Sequence, residues 1–372
     1  MNEKKIREIL RKYYALDMHY EDGRILGSMY TSIPPIVVEI FQKFYQANLG
    51  NESLYPGTKQ LERKVVKYLF RLASAQGKGF YGHILSGGTE ANIVALWAAR
   101  NFGYKRILAT ADAHFSIRKA ANLLNIPLVE VKMDKGKMDV GDLEKKINDG
   151  DAIVATAGTT PLGLVDPIED IGKICLEHDC FLHVDAAFGG FVIPFLRELG
   201  YIKVKFGFDI PAVRTVTIDP HKMGMAPYPA GSLLSRGNIF EKITTDAPYL
   251  LKEKNYTLLG TRQSGSVAAS YSAILYFGWA GYRRIVKKCM ENTLYGKKRF
   301  EEEGYEILVE PEMNILNIKF QNVKKIKREL IKRGWGVSIN PSYSSMRIVF
   351  MPHVTTSVVE NLLKDLKNIE KS

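Results

Sequence analysis

The chain reads as an α/β protein: a large domain with a mostly parallel sheet, followed by a small C-terminal α+β domain. Two observations predict this. Short apolar strands alternate with helical stretches from about residue 56 onward, the pattern of a parallel sheet covered on both faces. The residues able to do chemistry cluster where those strands end, and in such sheets ligands bind at the strands' carboxyl ends. At 372 residues the chain exceeds one minimal domain, and its 46% hydrophobic and 25% charged residues are an ordinary globular mixture.

Residues 1–55 read as an amphipathic helix and a second short one, joined by the Gly27–Pro35 loop, a segment of the kind that clasps across a dimer. Thr58 is the expected N-cap of the next helix, with Leu61, Val65, Val66, Leu69 and Leu72 at helical spacing behind it. A strand over Gly82–Leu85 meets Ser86-Gly87-Gly88-Thr89-Glu90, and a helix follows to Arg100. Further strands fit Arg106–Thr110, Leu128–Lys132, Ala152–Thr156, Phe181–Asp185 and Thr215–Asp219. The large domain is expected over 56–281 and the small one over 282–372. The latter starts with a long helix to Glu303. A strand (Ile315–Phe320), a helix (Val323–Arg333), a strand (Arg347–Met351) and a helix (Ser357–Ile369) complete it.

Composition narrows the classes. No window has the apolar run of a membrane helix, and the charged start Met1–Arg7 is unlike a signal segment, so a cytoplasmic location is expected. Three cysteines, Cys175, Cys180 and Cys289, are too few and odd in number for a disulfide framework, and no second pair completes a zinc site. No metal site is expected. The net charge of +12 suits anionic small molecules or nucleic acid. The basic residues concentrate in amphipathic helices of the last third, which reads as a solvated face rather than a nucleic-acid surface.

Five motifs carry chemistry. Ser86-Gly87-Gly88-Thr89 joins a strand to a helix, so backbone N–H groups, a dipole end and the Thr89 hydroxyl can cradle a phosphate; a plain glycine turn with a helix cap reads about as well. His114, near another strand end, could stack on a flat cofactor and handle protons near neutral pH. Ala157-Gly158-Thr159-Thr160 suits a cofactor wall or a tight turn. Asp185 ends an apolar strand, where an unpaired carboxylate is costly to bury, and Ala186 and Ala187 leave room for a ring. His183 is read as structural and as pointing to the sheet's opposite face. Lys222, after Asp219-Pro220-His221, lies in an apolar run, and desolvation lowers a lysine's pKa and makes its amine nucleophilic. An aspartate to hold a protonated pyridine nitrogen and a lysine to form a Schiff base are the two groups that pyridoxal 5'-phosphate chemistry most needs.

Taken together, these motifs resemble the group II pyridoxal-phosphate-dependent amino-acid decarboxylases. Within that group the chain looks like the archaeal L-tyrosine/L-aspartate decarboxylase family. The resemblance spans nearly the whole chain and includes Tyr81–Asn92, Ala113–Ser116, Ala157–Thr160, His183–Gly190, Asp219–Gly224, Leu259–Arg262 and Arg347–His353 in order. It implies the fold type I (aspartate aminotransferase-like) architecture and a homodimer with shared active sites. Lys222 would carry the cofactor, Asp185 bind its pyridine nitrogen and His114 stack on its ring. Gly88, Thr89 and His221 would hold the phosphate, with Thr159 and Ala187 in the wall and Thr261 or Ser264 arriving from the partner subunit. Arg347 would bind a substrate carboxylate. Two departures stand out. Family members commonly show Cys-Thr-x-Pro-His near the N-terminus, where this chain reads Met29-Tyr30-Thr31-Ser32-Ile33-Pro34-Pro35, and relatives often place glycine earlier in the loop after Arg262.

The implied reaction is loss of the α-carboxylate of an L-amino acid. Aspartate would give β-alanine, a coenzyme A precursor, and needs a second cationic contact. Tyrosine would give tyramine and needs an apolar slot, which Tyr30, Ile33 and Tyr55 could supply. Glutamate ranks third. Tyr249 or Tyr256 is a candidate proton donor. The nearest rival is a fold-type-I lyase or sulfur-transfer enzyme acting on a larger substrate such as an aminoacyl-tRNA. A non-catalytic binding protein that kept the fold is a second rival.

Overall fold

A computed structural model of the protein describes residues 1–250, 252 and 254–370. They divide into two compact units, Ile33–Lys287 and Met1–Ser32 with Lys288–Ser372. Helix α1 (Glu3–Tyr14) begins at Asn2, whose side chain accepts from Lys5 N at 3.0 Å. Both α2 (Pro35–Phe44) and α3 (Pro56–Leu72) open on a proline, whose missing N–H would have had no helical partner there anyway. Thr58 therefore lies inside α3, and Tyr55 occupies the cap position.

In the larger unit, β1 (Phe80–Leu85) leads into α4 (Gly88–Phe102), β2 (Arg106–Thr110), α5 (Phe115–Leu124) and β3 (Leu128–Val131). A small hairpin, β4 (Met133–Asp134) with β5 (Lys137–Met138), precedes α6 (Val140–Lys146) and β6 (Asp151–Thr156). Next come α7 (Ile168–Glu177), β7 (Phe181–Asp185), α8 (Ile193–Glu198), β8 (Val213–Thr217) and β9 (Gly231–Arg236). A second small hairpin pairs β10 (Thr245–Asp246) with β11 (Lys254–Asn255), and α9 (Ser264–Glu302) follows, broken at Gly278 (φ 57°).

Seven strands form one sheet in the order β1-β9-β8-β7-β6-β2-β3. Only β9 runs against its neighbours; the β2–β3, β2–β6, β6–β7 and β7–β8 pairs are all parallel. Every residue of β6 and β7 is buried, as expected for central strands covered by helices on both faces. Strand β9 has no signature in the sequence. Its Ser232 and Ser235 are fully buried; Ser232 Oγ donates to Ile218 O (2.6 Å), and Ser235 Oγ donates to Gly237 O (2.8 Å), with Tyr81 O 3.2 Å away. Satisfied serines in a buried strand mimic a loop composition.

The smaller unit holds an antiparallel sheet of order β12-β14-β13: β12 (Ile315–Lys319), β13 (Ser338–Asn340) and β14 (Ser345–Val349). Helices α10 (Val323–Lys332) and α11 (Thr356–Glu370) contribute Leu330, Leu362 and Leu366 to a core shared with Trp335, Ile348 and Phe350. The chain's N-terminal part joins this unit. Leu26 N donates to Gly336 O and Val349 N to Leu26 O, both at 2.8 Å, and Arg24 lies over the Trp335 ring. Among the described residues no helix is long and apolar enough to cross a membrane.

One buried ion pair ties four segments of the larger unit. Glu62 on α3 is 1% exposed, accepts from Ile84 N at 3.0 Å, and meets Arg262 Nη1 at 2.6 Å. Arg262 also donates to Ile84 O (3.0 Å) and Leu49 O (3.4 Å). Burial alone would raise the Glu62 carboxyl. Arg262, His83 and Lys59 together hold it well below the usual carboxylate range. Removing one partner of such a pair strands a buried charge, which costs about 3–5 kcal/mol. Arg262→Ala should lower the unfolding free energy by that order in urea denaturation; a loss under about 1 kcal/mol would mean the pair is not the tie.

Candidate active site

The carboxyl ends of the central strands open into a cavity of about 300 Å³. Five segments wall it: Ser86–Glu90 with Asn92, His114 with Phe115, Thr156 with Gly158 and Thr160, the end of β7 with Asp185, Ala187 and Phe188, and the turn after β8 with Asp219, His221 and Lys222. Residues more than 130 apart in sequence meet here because parallel strands all end on the same side.

Gly87 caps α4, so the helix's first N–H groups face the cavity. Close packing requires glycine at two points. A Cβ on Gly231 of β9 would lie 2.3 Å from Gly87 Cα, and one on Gly88 would lie 2.9 Å from Asp219 Oδ2. The rim of the cradle is thus backbone against backbone, with room for an anion at the helix end. His221 stands beside it. Its Nδ1 accepts from Ala230 N at 3.1 Å, and burial pushes its pKa down.

Lys222 sits in a turn closed by Lys222 N to Asp219 O (3.0 Å) and Ala226 N to Pro220 O (3.1 Å). Its Nζ lies 3.3 Å from Asp219 Oδ2, and His221 Nε2 lies 3.5 Å from the same oxygen. Asp219 is 2% exposed, and its Oδ1 has no hydrogen-bond partner among the described residues. Reading the sequence did not single out Asp219. Its only signal was a carboxylate at the end of the expected strand Thr215–Asp219, three before a lysine; in the structure that strand, β8, ends at Thr217.

Asp185 ends β7. Its Oδ1 accepts from Ala187 N at 3.1 Å and its Oδ2 from Asn92 Nδ2 at 2.8 Å. His114 caps α5, with its Nδ1 2.8 Å from Ser116 Oγ and 3.3 Å from Ser116 N. Burial lowers its pKa, partly offset by Asp185. The placement of His183 requires a correction. Residues i and i+2 of a strand share a face, so His183 lies on the same face as Asp185, not the opposite one. Its Nε2 is 2.9 Å from Asn92 Oδ1 and its Nδ1 is 2.8 Å from Thr215 Oγ1. Neither Asn92 nor Ser116 was assigned a role from sequence, although both fall inside the quoted motifs.

Other expected site residues are not among the cavity's lining residues. The Thr159 hydroxyl accepts from Leu164 N at 3.2 Å, so Gly158 and Thr160 supply the wall at that turn. Tyr55, half-buried, is not among the cavity's lining residues. Thr261 is exposed, whereas Ser264 is fully buried with its Oγ unpartnered among the described residues. Tyr249 is exposed. Tyr256 stacks near His83, and burial together with Glu52 raises its hydroxyl pKa. In the smaller unit, buried Arg347 lies at the centre of its sheet, donates from Nη2 to Gly27 O at 2.8 Å, and has its pKa pushed down to about 10 by burial. It keeps its charge at neutral pH. The thiols are poor nucleophiles: burial raises Cys180 to about 11 and Cys289 to about 12, and Cys175 higher still.

The cavity suits pyridoxal phosphate. It offers a glycine cradle at a helix N-terminus for the phosphate, a lysine amine, and an oriented carboxylate at the end of a central strand.

Comparison with known proteins agrees with this geometry. The model of the pyridoxal-dependent decarboxylase conserved domain matches residues 18–323. The chain belongs to the pyridoxal-dependent decarboxylase family. It is 42% identical to the L-aspartate/L-glutamate decarboxylase of Pyrococcus horikoshii, covering 99% of this chain and 97% of that one. It is 38% identical to the L-tyrosine/L-aspartate decarboxylase of Methanocaldococcus jannaschii, covering 100% and 98%. The structure of a sphingosine-1-phosphate lyase from Burkholderia pseudomallei superposes with a TM-score of 0.91 at 23% identity, over 100% of this chain and 91% of that one, and so shares the fold. The enzyme is thus a carboxy-lyase of PLP fold type I, with pyridoxal phosphate as its cofactor.

A pH dependence of stability follows from His183. Burial depresses its pKa from 6.5 to about 4. Above pH 6.5 both folded and unfolded forms are neutral there. As pH falls from about 6.5 to about 4, only the unfolded chain takes up the proton, and stability drops by about 3 kcal/mol. Guanidine denaturation across this window should show the loss in the wild type and a smaller one in His183→Gln.

Proposed function

We propose that this decarboxylase acts on L-aspartate, releasing carbon dioxide and β-alanine, with L-tyrosine as a second substrate and L-glutamate a weaker third. The observation that carries the aspartate reading is that both full-length relatives described above, at 42% and 38% identity, bear L-aspartate in their names. When bound, pyridoxal phosphate supplies an aldehyde for the substrate's amino group and a protonated ring to accept the electrons of the departing carboxylate.

The chain's own residues do the rest. Gly87, Gly88 and Thr89 present N–H groups and a hydroxyl to the phosphate, and His221 stands beside them. Lys222 Nζ would be the amine that holds the cofactor, and Asp219 Oδ2 lies 3.3 Å from it. Asp185 would keep a proton on the pyridine nitrogen; two donors aim its carboxylate. His114 would stack on the cofactor's ring, and burial pushes its pKa down. Ala187 leaves space beside the sheet, and Phe115 and Phe188 line the cavity wall. Arg347, a buried cation, is the proposed anchor for a substrate carboxylate.

The reading extends to a homodimer. Arg262 anchors the Leu259–Gln263 loop while Thr261 stays exposed, so Thr261 is the hydroxyl open to a second copy's phosphate site. The larger-substrate sulfur-transfer alternative loses support from the three thiols, whose raised pKa values leave little thiolate near neutral pH.

Carbon dioxide and amine release from L-aspartate, L-tyrosine and L-glutamate, measured in parallel with cofactor-loaded protein, tests the proposal. L-aspartate should turn over fastest. Lys222→Ala should abolish release, and Asp185→Asn should keep the fold while losing about 10²-fold or more in kcat. No release from any of the three acids would overturn the substrate assignment.

A further inference from the structure

We propose that Asn92 is a positioning residue for this site: its side-chain amide aims Asp185 and, through Ser116, fixes which nitrogen of His114 carries the proton. The inference rests on the reading of the cavity as the pyridoxal phosphate site.

Asn92 lies one turn into α4 and is 0% exposed. Its Nδ2 donates to Asp185 Oδ2 at 2.8 Å and to Ser116 Oγ at 2.9 Å. Its Oδ1 accepts from His183 Nε2 and from Thr217 Oγ1, both at 2.9 Å. Two donor and two acceptor positions are all that an amide possesses, and all four are used. The amide's orientation follows from chemistry, because an ionised carboxylate can only accept and so must face the nitrogen. His183 must then donate from Nε2, leaving its Nδ1 to accept from Thr215 Oγ1 at 2.8 Å.

The other branch also has one direction. Ser116 Oγ accepts from Asn92, so its single proton goes to His114 Nδ1 at 2.8 Å. Ser116 N points at the same nitrogen from 3.3 Å. With two donors aimed at it, Nδ1 is an acceptor, and neutral His114 carries its proton on Nε2. A proton added at Nδ1 would face both donors and break the chain.

Packing alone does not account for this arrangement. Asn92, Ser116, His183, Thr215 and Thr217 are all 0% exposed and come from α4, α5, β7 and β8. A buried polar network costs stability unless every member is satisfied, and apolar residues would fill the same space at less risk. Both ends of this network are cavity-wall groups, Asp185 and His114. Ala187 N serves Oδ1 of Asp185, and among the described residues the Oδ2 contact comes from Asn92.

Asn92→Asp is nearly isosteric. It keeps the acceptor for His183 and Thr217 but sets a second carboxylate against Asp185 and removes the donor to Ser116. Two like charges in contact share one proton, so Asp185 can no longer be a fixed, fully ionised partner. Ser116→Ala cuts only the His114 branch. Three readouts are needed: the apo protein's thermal midpoint, the dissociation constant for pyridoxal phosphate, and the pH titration of the visible absorption of the lysine-linked cofactor.

The wild type should show that absorption and Lys222→Ala should not; its absence in the wild type would overturn the cofactor reading itself. With that established, Asn92→Asp should weaken cofactor binding by about 10-fold or more and shift the titration midpoint by about one unit or more. Ser116→Ala should shift the titration while leaving affinity within about threefold. A folded Asn92→Asp with wild-type affinity and titration would overturn the proposal. Should Asn92→Asp fail to fold, Ser116→Ala decides: a shifted titration supports the proposal, and an unshifted one overturns it.

Discussion

Two carboxylates buried at the ends of neighbouring strands set the terms for the rest of this structure. Asp185 and Asp219 are 5% and 2% exposed, in a setting where an unpaired charge is costly. The fold answers the two differently. Asp185 receives a backbone N–H and an amide, which fix its direction toward the cavity. Asp219 lies against a lysine and a histidine and keeps one oxygen unpartnered. One group is held by two donors, and the other lies beside the Lys222 amine.

The sheet makes that division possible. Its parallel strands deliver Asp185 and the turn carrying Lys222 to one edge, while α4 starts at the same edge and presents its N-terminus. The antiparallel β9 brings Gly231 against Gly87, and the absence of both side chains lets the cradle close. Charge is thus complementary across a short distance: backbone donors at the helix end, an amine beside them, a fixed carboxylate opposite. Electrostatic preorganisation of this kind needs no rearrangement at the moment of reaction.

Stability and chemistry draw on the same residues. The Asn92 network is part of the core between α4, α5, β7 and β8, and also the support for two groups of the cavity wall. Glu62 and Arg262 play the corresponding part on the far side of β1, where an ion pair inside the protein fastens the loop that carries Thr261.

Much of this was legible in the sequence. Alternating short strands and helices dictate a parallel sheet, and a parallel sheet dictates where a ligand goes. Gly87-Gly88, Asp185 and Lys222 could therefore be assigned to one site before any coordinates. What alternation of side chains implied for His183 was also available, because residues 183 and 185 share a face. Other features were decided only by tertiary structure. Strand β9 hides behind buried serines whose hydroxyls find partners in the folded chain alone. Thr159 and Thr160 are equivalent as sequence, and only the turn to Leu164 determines that the first looks inward to backbone and the second to the cavity. Asn92 was one asparagine on a helix until α4 was laid across β7 and β8. Hydrogen-bond partners far apart in the chain have no local signature, because their meeting depends on the register of strands and the seat of a helix rather than on any propensity of the residues themselves.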